Sequence, residues 1–165
     1  MLSKRIEQSL FDEKFRETCV KILDSARHEI YIIAGELGSL KFYDMREATE
    51  HAARRGVKVH VYATNRTPDT FRNYCVSRGY ELFIGTVGLP THYLLVDREN
   101  MVISMNKKPN EATKVGERVG EERHGDKQKG EEILKIFKER INDKNTIKIT
   151  DFDKMKDPFY QAIAL

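Results

Sequence analysis

The sequence predicts an α/β protein with a mixed, mostly parallel central sheet flanked by helices. Apolar runs of strand length recur at Glu29–Ala34, Val57–Tyr62 and Tyr80–Ile84. Between them, Leu40–Arg55 and Thr67–Arg78 read as helices. Two further runs, Tyr93–Val96 and Met101–Met105, are separated only by Asp97-Arg98-Glu99-Asn100. That turn is too short for a crossover, so these two strands form an antiparallel pair and the sheet is mixed.

The 165 residues suit one domain, 1–165, with a real core. With 39% hydrophobic and 33% charged residues, the chain reads as a globular protein with a heavily charged surface. The 29 basic and 26 acidic residues leave a net charge of +3, too little clustering of one sign to mark nucleic acid as the expected partner. Cys19 and Cys75 lie in apolar surroundings without metal-like spacing and read as buried free thiols of a reducing compartment. The start of the chain is charged and amphipathic and no apolar run has membrane-spanning length. A cytoplasmic protein with no membrane contact is expected.

Taken in order, Ser3–Ala26 reads as one amphipathic helix, with Phe11, Phe15, Cys19, Ile22, Leu23 and Ala26 at three- and four-residue steps. Glu29–Ala34 is apolar enough for a strand covered on both faces. Gly56 is placed to end the second helix, whose last turn carries Arg54 and Arg55. Thr67 and Pro68 read as the N-cap and first residue of the third helix, which Gly79 stops. Residues 107–126 read as loop, with one short edge strand near Glu117–Gly120. Lys127–Ile141 is a strong amphipathic helix with Ile133, Leu134, Phe137 and Ile141 on one face. Thr146–Ile149 alternates as a strand, and the apolar residues from Phe152 to Leu165 are expected to dock on the body or on a partner.

No phosphate loop, dinucleotide fingerprint or nucleophile elbow is present, and the histidines lack metal-binding spacing. No metal and no cofactor is expected. Lys107, Lys108, Lys114, Arg118 and Arg123 could touch phosphates, but Glu111, Glu117, Glu121 and Glu122 interleave them as on a solvated mixed-charge surface. Arg54 and Arg55 are explained by the helix terminus, and Tyr31, Tyr62, Tyr80 and Phe83 by the core. Ligands of open α/β sheets usually bind at the carboxyl ends of parallel strands. Glu36, Asn65 and Arg66 fall there, either as a ligand edge or as ordinary loop polarity. His92 enters the Tyr93–Val96 strand on the face of Leu94 and Val96. It reads either as a site histidine or as a half-exposed ring at a strand end.

The layout resembles one half of the phospholipase D-like superfamily. The resemblance rests on Ala26–Ala34 (ARHEIYIIA), Ala52–Tyr62 (AARRGVKVHVY) and Ser77–Phe83, followed by Pro90–Asp97 and Met101–Ser104. In that family two halves, in one chain or a homodimer, share an active site, so the resemblance implies a homodimer. Its enzymes carry His-x-Lys-x-x-x-x-Asp: the histidine attacks phosphorus, the lysine holds the phosphate, and a second histidine protonates the leaving group. Aligned on Val96-Asp97, the signature aspartate is Asp97, the lysine position holds His92 and the nucleophile position holds Pro90. With His92 as nucleophile instead, Leu94 replaces the lysine and Glu99 the aspartate. Either way the motif is degenerate. Ser104, Met105, Asn106 and Lys107 occupy the family's Gly-Ser-x-Asn phosphate cradle. Proline cannot attack phosphorus and leucine cannot neutralise a phosphate, so most of the rate should be gone.

Catalytically silent versions of this fold resemble the effector-sensing portion of archaeal TrmB-type regulators. The leading expectation is therefore a non-catalytic, ligand-sensing or regulatory binding module that takes a small polar or anionic ligand, or a protein, at the degenerate site, with His92, Asn106, Lys107, Glu36, Asn65 and Arg66 as the candidate ligand residues. The alternative is a metal-independent nuclease or phosphodiesterase in which His92 attacks and Lys107 or Arg66 replaces the lysine. A third reading is an oligomerisation module built on the last helix and the apolar C-terminus.

Overall fold

The computed structural model describes residues 3–9, 13–34, 40, 42–86, 91–106 and 117–150. The strands among them are β1 (Ser3–Ser9), β2 (Glu29–Ile33), β3 (Lys58–Thr64), β4 (Glu81–Gly85), β5 (Thr91–Val96), β6 (Asn100–Asn106), β7 (Glu117–Arg123) and β8 (Ile147–Ile149). The helices are α1 (Glu13–Asp24), α2 (Tyr43–Arg54), α3 (Asp69–Ser77) and α4 (Lys127–Ile141). All eight strands join one sheet in the order β1-β7-β6-β5-β2-β3-β4-β8.

Strand alternation gives the sheet two packed faces. Ile30, Ile32, Val59, Val61, Leu82, Leu94 and Val96 face α1, α2 and α3, meeting Phe15, Ile22, Met45, Ala48 and Cys75. Tyr31, Ile33, Tyr62, Leu95 and Met101 face α4 and pack on Ile133 and Phe137. This double cover explains why Glu29–Ile33 is apolar almost throughout.

The sheet is mixed, as expected, but parallel pairing is confined to β2–β3 and β3–β4. The other five pairings are antiparallel, so parallel ladders are the minority. The short β5–β6 connection forces one reversal, β5 runs against β2 in the middle of the sheet, and the strands toward its two margins, β7, β1 and β8, supply the other three. One of these is β1, which replaces the first part of the expected Ser3–Ala26 helix. Ile6 is the only apolar residue in Ser3–Ser9, so that stretch has no helical stripe to bury. Pairing with β7 instead places Lys4 opposite Glu122 and Arg5 opposite Glu121. As a result β7 is an interior strand, longer than the short edge strand expected near Glu117–Gly120.

Two helices end as the glycines require. Gly56 and Gly79 have φ of 92° and 76°. Their N–H groups donate to the Ala53 and Val76 carbonyls, and the next N–H groups reach back to Ala52 and Cys75. The third helix begins one residue later than expected. Pro68 occupies the N-cap position without a side-chain cap, so Thr67 stands outside the helix.

Arg55 serves a helix terminus, though of a neighbouring helix. Its guanidinium donates to the carbonyls of Leu23 (3.4 Å), Asp24 (3.3 Å) and Ala26 (3.0 Å) at the end of α1. Arg55→Ala is expected to cost about 1–2 kcal/mol in urea unfolding, with Arg55→Lys recovering only part. An unchanged midpoint would mean that solvent replaces this cap freely. The burial of both cysteines is also observed, and burial pushes the Cys75 thiol up to about 12.

Candidate functional site

Strand direction decides which ends meet. The parallel strands β2, β3 and β4 finish at one edge of the sheet, and β5, antiparallel to β2, begins there. Ile33 of β2 is level with Tyr93, so His92 lies just beyond it, beside Ala34. On its other side His92 is opposite Ser104 of β6, whose last residue Asn106 also reaches this edge. Asn65 follows β3 two strands away, about 10 Å across the sheet. The structure thus brings His92, Asn106, Asn65 and Arg66 to a common edge.

The residues differ in how they are held. His92 is half-buried, and shares its face with Leu94, Val96 and the buried Ser104. The exposed Asn65 is fixed by its backbone: its N–H donates to Gly85 (2.9 Å), and its carbonyl accepts from Arg72 (3.1 Å). Arg66 is exposed in the same turn. Asn106 is placed by its backbone, opposite Arg118 of β7. Glu36 and Lys107, the other two expected ligand residues, lie outside the described residues.

Both α2 and α3 start there without a side-chain cap at the N-cap residue, but each carries an acidic residue in its first turn, Asp44 and Asp69, and the Asp44 carboxylate accepts from Met45 N–H (3.0 Å). The first N–H groups and positive dipole ends of the two helices point the same way. Gly85 closes the edge on the α4 face, where a Cβ would stand 2.3 Å from the Tyr62 hydroxyl. Only glycine lets that buried phenol lie across the strand end.

Asp97 sits at the opposite end of β5. Its carboxylate accepts from three successive backbone groups: Arg27 N–H (2.9 Å), His28 N–H (2.7 Å) and Glu29 N–H (3.0 Å). Burial alone would raise its pKa, but these donors outweigh it and hold the carboxyl below its ordinary value. Asp97 and Arg98 both have positive φ, 52° and 64°, in the hairpin turn. The carboxylate of Glu99, the rival for the signature position, makes a long approach to the exposed Lys127 ammonium (4.0 Å).

A second polar cluster, not anticipated from the sequence, lies at that same far end under α4. Strand register sets Tyr31, His60 and Glu81 side by side. His60 Nδ1 is 2.9 Å from Glu81, its ring stacks on Tyr31 with centroids 4.5 Å apart, and Phe137 meets Tyr31 edge-on. Glu29 accepts from Tyr31 (3.1 Å) and Arg98 (3.0 Å), and Lys148 donates to Glu81 (3.2 Å). Burial opposes ionisation of Glu29 and Glu81, yet these donors keep both below the usual carboxylate range. The charges are paired between the strands and α4 joins through the Phe137 ring, while His60 Nε2 is buried without a hydrogen-bond partner. A signal existed in the alternation of Lys58–Tyr62, but finding it needed the strand order.

Among the described residues no three His, Cys, Asp or Glu side chains gather to hold a metal ion, and no helix is long and apolar enough to cross a membrane. No protein-family model and no curated protein matches the chain. Solved structures do. Nuc, a phospholipase D family member from Salmonella typhimurium, superposes with a TM-score of 0.70 at 17% identity, over 91% of this chain and 100% of its own. NucT from Helicobacter pylori gives 0.66 at 12% identity, over 90% and 99%. TrmBL2, an archaeal chromatin protein with a novel mode of DNA binding, gives 0.62 at 14% identity, over 84% of this chain and 52% of its own. The fold of this chain is phospholipase D-like, shared at full length with Nuc and NucT and with about half of TrmBL2.

Proposed function

We propose that this chain is a non-catalytic phospholipase D-like domain. It works as a homodimeric binding module that senses a small polar or anionic ligand at the edge carrying His92, with Asn106, Lys107, Glu36, Asn65 and Arg66 around it. The supporting observation is the place of Asp97. A carboxylate that organises the start of β2 has a structural reason to stand at the end of β5. This favours the alignment with Asp97 at the signature aspartate, which leaves His92 at the lysine position and Pro90 at that of the nucleophile. An imidazole N–H at the lysine position can hold an anion, while a proline at the first position cannot attack it.

Binding is testable with a thermal-shift series of phosphate esters, nucleotides, sugars and short DNA. A ligand present at ten times its Kd adds about 1.4 kcal/mol, a Tm rise of about 3–5 °C for a chain of this size. The reading expects such a rise from an anionic compound, lost in His92→Ala. A shift that survives His92→Ala would move the site elsewhere. Light scattering should give twice the monomer mass, and a monomer at high concentration would remove the shared-site dimer.

A further inference from the structure

The helices on the His92 side of the sheet bring an aromatic ring to its edge. His92 shares its face with Leu94 and Val96, which belong to the core under α1, α2 and α3. Helix α1 lies over β5 and β6. It ends just before β2 starts, so its 12 residues, about 18 Å long, carry its first turn back to the end where β2 finishes and β5 begins. There Arg16 ties α1 to the first turn of α2. Its guanidinium is 3.0 Å from the Asp44 carboxylate and covers the Phe42 ring, 4.9 Å from the ring centre. Arg46 N–H donates to the Phe42 carbonyl (2.9 Å), and Asp44 accepts from Met45 N–H (3.0 Å). The chain on both sides of Tyr43 is therefore pinned.

Tyr43 itself stands in solvent, 69% exposed. Among the described residues the other large hydrophobic left exposed is Ile147, which opens β8 four strands away from β5. Tyr43 is the first residue of α2, and Cα–Cβ bonds lean toward the start of a helix, here out past the sheet edge. A firmly held, solvent-facing aromatic beside a polar edge suits stacking on the flat face of a bound ring.

We propose that the anion taken at the His92 edge carries an aromatic base, as a nucleoside monophosphate does, and that Tyr43 stacks on that base. The inference rests on the anion-binding reading above and narrows its ligand class. His92 holds the phosphate, while Arg16 and Phe42 hold the turn that presents Tyr43.

Titration calorimetry of the full chain with AMP, ribose 5-phosphate and inorganic phosphate tests this. AMP should bind at least about fivefold tighter than ribose 5-phosphate, the low end of what one stacked base contributes. Tyr43→Ala should abolish that preference and leave the affinity for ribose 5-phosphate unchanged, whereas Tyr43→Phe should keep it. His92→Ala should weaken all three ligands. Equal wild-type affinities for AMP and ribose 5-phosphate overturn the stacking proposal and leave the anion site standing. A preference that survives Tyr43→Ala also overturns it. No binding of any of the three overturns both. A drop from dimer to monomer mass in Tyr43→Ala, read by light scattering, overturns the proposal by assigning the ring to the subunit interface.

Discussion

Asp97→Ala should lower stability by about 2–4 kcal/mol, since it removes three hydrogen bonds to a charged acceptor at a partly exposed site. The carboxylate joins the turn after β5 to Arg27, His28 and Glu29, residues that would otherwise have to find water for three successive N–H groups. Alanine also loses the tolerance of aspartate for the left-handed region, where φ is 52°. Asp97→Asn separates these contributions. Its single carbonyl oxygen can keep the His28 and Glu29 donors, but its amide would face the Arg27 N–H, so about half the loss is expected. The pH dependence has a definite sign. Because the folded pKa is depressed below 3.8, the stabilisation is complete above that value and disappears as pH falls through the folded pKa. The difference between wild type and Asp97→Asn in urea unfolding should therefore be full at pH 7 and shrink below about pH 4. A difference that stays constant into acid would show that the charge contributes nothing.

Gly130→Ala should destabilise the chain by about 2–3 kcal/mol, against the usual gain of up to about 1 kcal/mol for this change inside a helix. A Cβ at position 130 would stand 1.7 Å from the Arg98 carbonyl oxygen and 2.7 Å from its carbon. Both are backbone atoms of the β5–β6 turn, so no rotamer change relieves the clash. The helix cannot slide away cheaply either. Asp126 N–H donates to the Glu99 carbonyl (2.9 Å), Gly125 N–H to the Asn100 side chain (3.0 Å), and the Asp126 carboxylate caps Lys129 N–H (3.0 Å). Displacing α4 would also loosen Phe137 from Tyr31 and His60. Thermal and urea unfolding measure this directly. An equal or higher Tm for Gly130→Ala would show that α4 is free to shift.

The core elements were readable because each carried its own punctuation. Gly56 and Gly79 stop helices, the turn at Asp97 is too short to be anything but a hairpin, and Lys127–Ile141 keeps an unbroken helical stripe. Ser3–Ser9 had no such signal, since a polar strand is stabilised by its neighbour β7 and not by its own pattern. The same limit governed the site. Gathering His92, Asn65 and Asn106 at one edge follows from the antiparallel placement of β5 against β2, which no local pattern fixes. The role of Asp97 was equally hidden, because its partners Arg27–Glu29 are about 70 residues away in sequence. His60 and Glu81 stayed silent for that reason too: they become neighbours only through the parallel β3–β4 register.

Loss of the attacking group, with retention of the fold and of an anion-suited edge, is the claim on which the functional reading stands. The most direct test is metal-free hydrolysis of bis-p-nitrophenyl phosphate and DNA by the purified chain, with chelator present and His92→Ala run in parallel. The account predicts turnover no greater than buffer for both proteins. Measurable wild-type hydrolysis that vanishes in His92→Ala would contradict it and make the chain a phosphodiesterase with His92 as its nucleophile.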